Sequence, residues 1–155
     1  MRLFLLVATI LLVGAPSENA YTQSRSLSLE LGGSAGIASL NFEKAFREAA
    51  NQQLSYRIGI SGFPIDGNSG VALIFPLALQ YRRGAGPHQA ELAMGLNLSL
   101  TTRGKFFTQA IPAIGYRFQR EEKRWFWKVS YTPLISFIFN WQYQHWAGLS
   151  IGYDL

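Results

Sequence analysis

The stretch "HQAELAMGLNLSLT" (88–101) constrains this chain more than any other. Ala90, Leu92, Met94, Leu96, Leu98 and Leu100 alternate with Glu91, Ala93, Gly95, Asn97 and Ser99. A strict period of two places successive side chains on opposite faces of a strand, whereas a helix gathers apolar residues every three or four. One face here is bulky and apolar; the other is small or polar. Which face turns inward decides what such a strand can build.

The pattern recurs along the chain, broken by turn residues. "SLSLELGG" sets Leu27, Leu29 and Leu31 against Ser28 and Glu30, and "GIASLNFEKAF" sets Leu40 and Phe42 against Asn41 and Glu43. "LSYRIGISGF" opposes Leu54, Tyr56, Ile58 and Ile60 to Ser55, Arg57, Gly59 and Ser61. "GVALIFPLALQYR" opposes Val71, Leu73, Phe75, Leu77, Leu79 and Tyr81 to a face ending in Gln80 and Arg82. "FTQAIPAIGYRF" is apolar on both faces at first and ends with Ile114 and Tyr116 against Gly115 and Arg117. "RWFWKVSYTPL" gives Trp125, Trp127, Val129 and Tyr131 against Phe126, Lys128 and Ser130. "HWAGLSIGYDL" closes with Leu149, Ile151, Tyr153 and Leu155 against Gly148, Ser150, Gly152 and Asp154. The stretch "EKAFREAANQQ" reads as a strand end and turn rather than a helix. Pro76 and Pro112 each remove a ladder donor, which predicts bulges or local gaps.

Eight sequential strands fit two architectures, a soluble lipocalin-like barrel and the smallest class of membrane barrel. A soluble barrel keeps its large apolar residues inside. An eight-stranded interior is only wide enough for side chains to fill, and here the Gly, Ala, Ser, Asn face fits it while the Leu, Val, Phe, Trp face fits lipid. The expected fold is all-β: an eight-stranded antiparallel up-and-down transmembrane β-barrel over residues 26–155, after an N-terminal signal peptide. In hydrocarbon every backbone donor and acceptor must be paired, so the last strand must close on the first.

The leader follows from Met1-Arg2, "LFLLVATILLVGA", Pro16 and the polar "SEN". This is the layout of a secretory signal peptide over residues 1–20, with cleavage expected between about residues 15 and 22. Its apolar run is shorter than the roughly 20 residues that span a bilayer. The chain has no cysteine, which excludes disulfides and thiolate metal sites. The net charge of +5 comes without a recognition helix, an RNP-type motif or a basic stripe, so no nucleic-acid partner is expected. An even strand count puts both termini on one side, periplasmic in an exported barrel. The turns "REAANQQ", "RGAGPH" and "QREEKR" then share that side, and "GSAG", "PIDGNS", "TTRGK" and "ISFIFNWQYQH" are outer loops.

"LELGGSAGIASLNFEKAF", "IPAIGYRF" and "YTPLI…WAGLSIGYDL" together resemble small outer-membrane β-barrel proteins of Bacteroidota, of OmpA/OmpX-like architecture. Phe42 stands where such proteins favour Tyr, and Leu155 where a terminal Phe is common. The resemblance implies location and fold, namely the outer membrane of a Gram-negative bacterium, and implies no chemistry. The alternating Leu149, Ile151, Tyr153 and Leu155 also look like the C-terminal signal read by the barrel-assembly machinery. The expected partners are that machinery and outer-membrane lipids, and the expected state is a monomer.

The predicted luminal face carries Glu30, Glu43, Glu91 and Asp154 with Arg57, Arg82, Arg117 and Lys128. These balanced charges read as an internal network plugging a narrow barrel, because buried charges must be paired; a proton path or a catalytic carboxylate is the sharper reading. Aromatic side chains near strand ends (Tyr56, Tyr81, Phe107, Tyr116, Trp125, Trp127, Trp146 and Tyr153) suit the girdles at the two bilayer interfaces. Some eight-stranded outer-membrane barrels modify lipid A, chemistry that calls for a His beside a Ser with an acid to hold the imidazole. His88 and His145 fall at opposite rims, about 30 Å apart across the hydrocarbon. His145 could meet Ser136 or Asp66, but no His-x-Ser pair supports it. "GGSAG" lacks the helix and lysine of a phosphate-binding loop and reads as a tight turn. Metal-ligand spacing is absent. The chain is expected to be a structural or surface-interaction barrel, not an enzyme and without cofactor. The alternatives are a lipid A-modifying enzyme using an outer-rim His and a soluble lipocalin-like binder.

Overall fold

The computed structural model describes residues 24–66, 70–120, 122–136 and 142–155, and the expected leader lies outside them. Nine strands follow one another: β1 (Arg25–Gly32), β2 (Ala38–Ala49), β3 (Gln52–Asp66), β4 (Gly70–Ala85), β5 (His88–Thr101), β6 (Phe106–Ala110), β7 (Ala113–Phe118), β8 (Trp125–Ser136) and β9 (Gln142–Asp154). Each pairs antiparallel with its neighbours, and β1 pairs with β9 from Ser26↔Asp154 to Gly32↔Gly148. That last ladder closes the sheet into a barrel. β6 and β7 are two halves of one stave, both pairing with β5 and β8, so the barrel has eight staves. The start of β1, the end of β9 and the β2–β3, β4–β5 and β7–β8 turns share one end, here the terminal end; the opposite end is the far end.

The alternation resolves which face is inside. On β1, Glu30 is 1% exposed, while Leu29 and Leu31 on either side are 47% and 54% exposed. On β4 the alternation is unbroken from Val71 to Arg82, with Ala72, Ile74, Pro76, Ala78, Gln80 and Arg82 inside. The interior holds Ser39, Asn41, Ser55, Gln80, Asn97, Ser99, Thr132 and Ser150 besides charges and the apolar side chains Ile74, Ile111, Phe126 and Leu134, and most of the large apolar side chains point outward. Cores normally gather apolar residues. This barrel is inverted.

The two prolines behave differently. β4 stays paired with β5 past Pro76, which faces Asn97. On the β3 side the pairing lapses between Ile58↔Leu77 and Ser61↔Ile74 with no change of register. Gly59 makes room there, since a Cβ on it would come within 2.9 Å of the Pro76 ring and 2.3 Å of Asn41 Oδ1. At Pro112 the stave breaks into β6 and β7, although the Ile111 N–H still donates to Gly95 O at 2.9 Å. The register either side, Ala110↔Ile135 and Ile114↔Tyr131, brings Pro112 opposite Pro133. Neither residue can donate, so the ladder cannot close between them. The one register shift on β2 falls at Phe46, between Ala45 and Arg47, where the extra residue is turned outward and half exposed.

Several expectations about loops need correction. β8 runs to Ser136 and β9 begins at Gln142, so most of the stretch read as a long outer loop, "ISFIFNWQYQH", belongs to strands. β3 reaches Asp66 and β4 reaches Ala85, leaving shorter connections than the sequence suggested. The largest correction is "GGSAG". Gly33–Ala35 form a 3-10 turn whose three residues are buried, so this loop folds into the far mouth of the barrel instead of projecting from it. Gly32, Gly33 and Gly36 have φ of 72°, 76° and 90°, a region that side chains with a Cβ avoid. Asn97 Nδ2 donates to Ser34 O at 2.5 Å, and Ser61 Oγ donates to Ala35 O at 2.8 Å. Ala35 packs with Ala72, Ile74 and Phe107, the small apolar cluster that caps this end.

Candidate functional site

Among the described residues, eight charged side chains stand inside the barrel as four ion pairs. Lys128 Nζ lies 2.8 Å from Glu91 Oε1, Arg82 Nη2 lies 3.0 Å from Glu43 Oε1, Arg117 Nη2 lies 2.8 Å from Asp154 Oδ1, and Arg57 Nη1 lies 3.8 Å from Glu30 Oε2. The strand registers place Glu43 directly opposite Arg57, and Arg82 directly opposite Glu91. The bridges take other partners. Each one skips a stave: β1 to β3, β2 to β4, β5 to β8 over β7, and β7 to β9 over β8. Inward side chains converge across a narrow lumen, so the charges brace the barrel across its width rather than along one ladder.

Neutral donors complete the shells. Glu30 sits beneath the folded-in turn and accepts from Ser34 Oγ at 2.7 Å, Ser39 Oγ at 3.3 Å and Ser130 Oγ at 3.4 Å. At 3.8 Å Arg57 is beyond hydrogen-bond range of Glu30, so the hydroxyls, not the guanidinium, provide the direct contacts. Glu91 Oε1 also accepts from Gln80 Nε2 at 3.0 Å. Glu43 Oε1 also accepts from Ser55 Oγ at 3.0 Å. Asp154, the most exposed of the eight, accepts from Gln119 Nε2 as well. Around it a polar cleft of about 250 Å³, lined in part by Glu48, Gln53, Arg82, Gln89 and Gln119, opens at the terminal end.

Arg117 is fully buried and lies over the Phe126 ring, 3.4 Å from guanidinium carbon to ring centroid. A cation on an aromatic face is attracted by the ring quadrupole, most strongly when desolvated. Phe126 can lie there because Gly152 is opposite: a Cβ on Gly152 would fall 2.1 Å from Phe126 Cζ. Gly148 serves the far end likewise, since a Cβ there would come within 2.9 Å of Gly33 Cα and 3.0 Å of Glu30 Oε1. Gly152→Ala is expected to push Phe126 off Arg117 and to cost about 1–3 kcal/mol, the usual range for overpacking. Chemical denaturation of the refolded protein measures it, and an unchanged midpoint would show that the ring has room to move.

The aromatic residues divide unequally. Tyr56, Tyr81, Tyr116, Trp125, Trp127 and Tyr153 share the outward parity near the terminal end, and Trp125 stacks edge-on against Tyr153 at 5.1 Å. Trp146 does not belong to an outward girdle: it pairs with buried Thr132, on the luminal parity of Gly148, and its Nε1 donates to Gln144. Phe107 likewise pairs with buried Ser99 and packs inside, while its neighbour Phe106 is the outward residue. Leu149 and Leu155 are outward and exposed on the closing stave, and Ile151 and Tyr153 lie partly covered on the same parity.

His145 is exposed on the outer face and contacts Tyr131 and Tyr143, the latter edge-on with ring centroids 4.5 Å apart. Ser136 pairs with Gln142 and Gln109, on the luminal parity of Leu134, so it does not share a face with His145. The side chain of Asp66 lies outside what the structure describes. His88 meets Tyr116 and Phe118 at the terminal end. Among the described residues no group of three or more His, Asp or Glu is placed to hold a metal ion.

The chain is similar in fold to the N-terminal β-barrel domain of OprF from Pseudomonas aeruginosa. The superposition has a TM-score of 0.62 at 14% identity and covers 85% of this chain and 97% of that domain. That likeness establishes an all-β antiparallel barrel. No family model matches the sequence, and no curated protein matches it either.

Proposed function

We propose that this chain is an integral outer-membrane barrel whose lumen is plugged by its own side chains, with a structural or surface-interaction role and no catalytic activity. The observation that carries the reading is the outward face. Leu27, Leu29, Leu31, Leu40, Ile58, Ile60, Leu73, Leu77, Leu92, Met94, Leu96 and Leu149 are each 40–64% exposed on one continuous surface. Soluble monomers rarely expose an apolar patch of more than a few hundred Å². The height of the band fits too. From Val71 to Tyr81 is ten steps along β4, which at about 3.4 Å a step and a tilt of roughly 40° gives roughly 26 Å, against an apolar band of about 25 Å.

The lumen weighs against a soluble lipocalin-like binder, whose interior would be an apolar cavity. Here it is filled by ion pairs, amides and hydroxyls. Orientation follows from barrels that are inserted from the periplasm: both termini and the terminal-end turns are periplasmic, and the 3-10 plug faces outward. The similarity to the OprF barrel and the resemblance to Bacteroidota barrels support this location. The closing stave presents Leu149, Ile151, Tyr153 and Leu155 to the assembly machinery, and the barrel works as a monomer among outer-membrane lipids.

Fractionation followed by electrophoresis with and without boiling tests the proposal. The expected result is recovery in the detergent-soluble outer-membrane fraction, with the unboiled protein migrating differently from the boiled one. Recovery in the periplasmic extract without detergent would sink it.

A further inference from the structure

Going once around the outer face at the terminal end, the aromatic belt runs Trp127 and Trp125 on β8, Tyr153 on β9, then Tyr56 on β3, Tyr81 on β4 and Tyr116 on β7. Three staves carry no Tyr or Trp there: β5, which presents Ala90 and Leu92, and the adjacent pair β1 and β2. β1 carries Arg25 and β2 carries Lys44, and these two cations are directly opposite each other in the ladder. Both share the outward parity of Leu27 and Phe42. Lys44 in turn pairs with Tyr56, and Tyr153 pairs with Leu27, one step inward from Arg25.

Like charges directly opposite on one face destabilise a sheet, because their Cβ atoms stand about 5 Å apart. Among the described residues neither Arg25 nor Lys44 forms an ion pair. The pair therefore leaves room for an anion that the described residues do not supply. At the level of the aromatic belt, on a surface otherwise facing acyl chains, the anion that fits is a lipid phosphate. A guanidinium fork and an ammonium on adjacent strands can share its oxygens, and Tyr56 is the ladder neighbour of Lys44 on the same face.

We infer that Arg25 and Lys44 form a headgroup site for one anionic glycerophospholipid in the periplasmic leaflet. Its acyl chains lie on the β1–β2 surface of Leu27, Leu29, Leu40 and Phe42. This rests on the membrane-spanning reading above. Native mass spectrometry of the refolded protein in neutral detergent, with equimolar phosphatidylglycerol and phosphatidylcholine, tests it. The wild type is expected to retain one phosphatidylglycerol selectively. Arg25→Gln with Lys44→Gln should lose that selectivity by roughly 10- to 30-fold, taking each cation near a lipid surface at its usual strength. Lys44→Gln alone should lose part of it. Arg83→Gln, which removes an exposed cation from β4, should leave it unchanged, and millimolar inorganic phosphate should not displace the lipid.

Equal retention of the two lipids by the wild type, retention by the double variant, equal loss in Arg83→Gln, or displacement by phosphate would each overturn the assignment. The boiled and unboiled migration of every sample separates the two levels of failure. A protein that inserts into phosphatidylcholine vesicles without headgroup preference sinks this site alone; one that does not insert sinks the membrane reading with it.

Discussion

Glu91→Ala is expected to destabilise the folded barrel by about 3–5 kcal/mol, the cost of leaving one member of a buried ion pair without its partner. Glu91 and Lys128 are both about 95% covered, and Lys128 Nζ has its contact at 2.8 Å to Glu91 Oε1. Arg82, directly opposite Glu91 in the β4–β5 ladder, keeps its own acid in Glu43, so the loss leaves Lys128 as the uncompensated cation. Gln80 also loses the acceptor of its amide. Replacing both members, Glu91→Leu with Lys128→Met, removes the uncompensated charge and should recover most of the loss, since an apolar pair of similar volume is often neutral or stabilising. Urea unfolding in lipid vesicles, followed by tryptophan fluorescence, gives both values. A single-variant loss below about 1 kcal/mol would mean that water screens the lumen as it screens a protein surface, and the brace across the barrel would not hold.

What could be read in advance was the face each side chain occupies, and the reason is the period. Counting by two from any secure position assigns a strand, so Glu30, Asn41, Arg57, Arg82, Glu91, Arg117 and Lys128 were separable from their neighbours without knowing the fold. Partnership was not legible. Which acid meets which base depends on strand tilt and on how far one stave is shifted along the next, and the sequence records neither. The ladder neighbours Glu43 and Arg57 would have been the natural guess, yet Glu43 reaches over β3 to Arg82. The plug is illegible for a different reason. Gly32, Gly33 and Gly36 permit both a projecting tight turn and an inward fold, and the choice is made by Asn97, Ser61 and Glu30, which are distant in sequence. Trp146 and Phe107 are plainer cases. The same count by two assigns Trp146 to the parity of Gly148, and that parity, not the usual place of an aromatic at an interface, decides its face.

Deleting Ser150 is expected to abolish insertion, whereas Ser150→Ala should insert with nearly normal stability. The two changes remove the same hydroxyl; only the deletion moves the frame. A shift of one residue turns every side chain beyond it to the other face. If the first half of β9 keeps its place, Ile151, Tyr153 and Leu155 turn inward while Gly152 and Asp154 turn to lipid. The space they would enter is filled, because even a methyl group on Gly152 would strike Phe126 at 2.1 Å. If the second half keeps its place instead, Leu149 enters the lumen at the position of Ser150, opposite Glu30 and Lys128, and Gly148 no longer stands over the plug. Either frame takes apolar side chains out of lipid at about 1.5–3 kcal/mol each and overpacks the lumen as well, together more than the few kcal/mol by which a small domain is stable. The strand cannot escape by staying unpaired, because β1 and β8 would both be left with open edges in hydrocarbon. The unboiled deletion variant should therefore migrate with the boiled one and remain in the unfolded fraction. A normal migration shift would show that β9 tolerates either frame, and that the two-faced ending of this chain does not fix its closure.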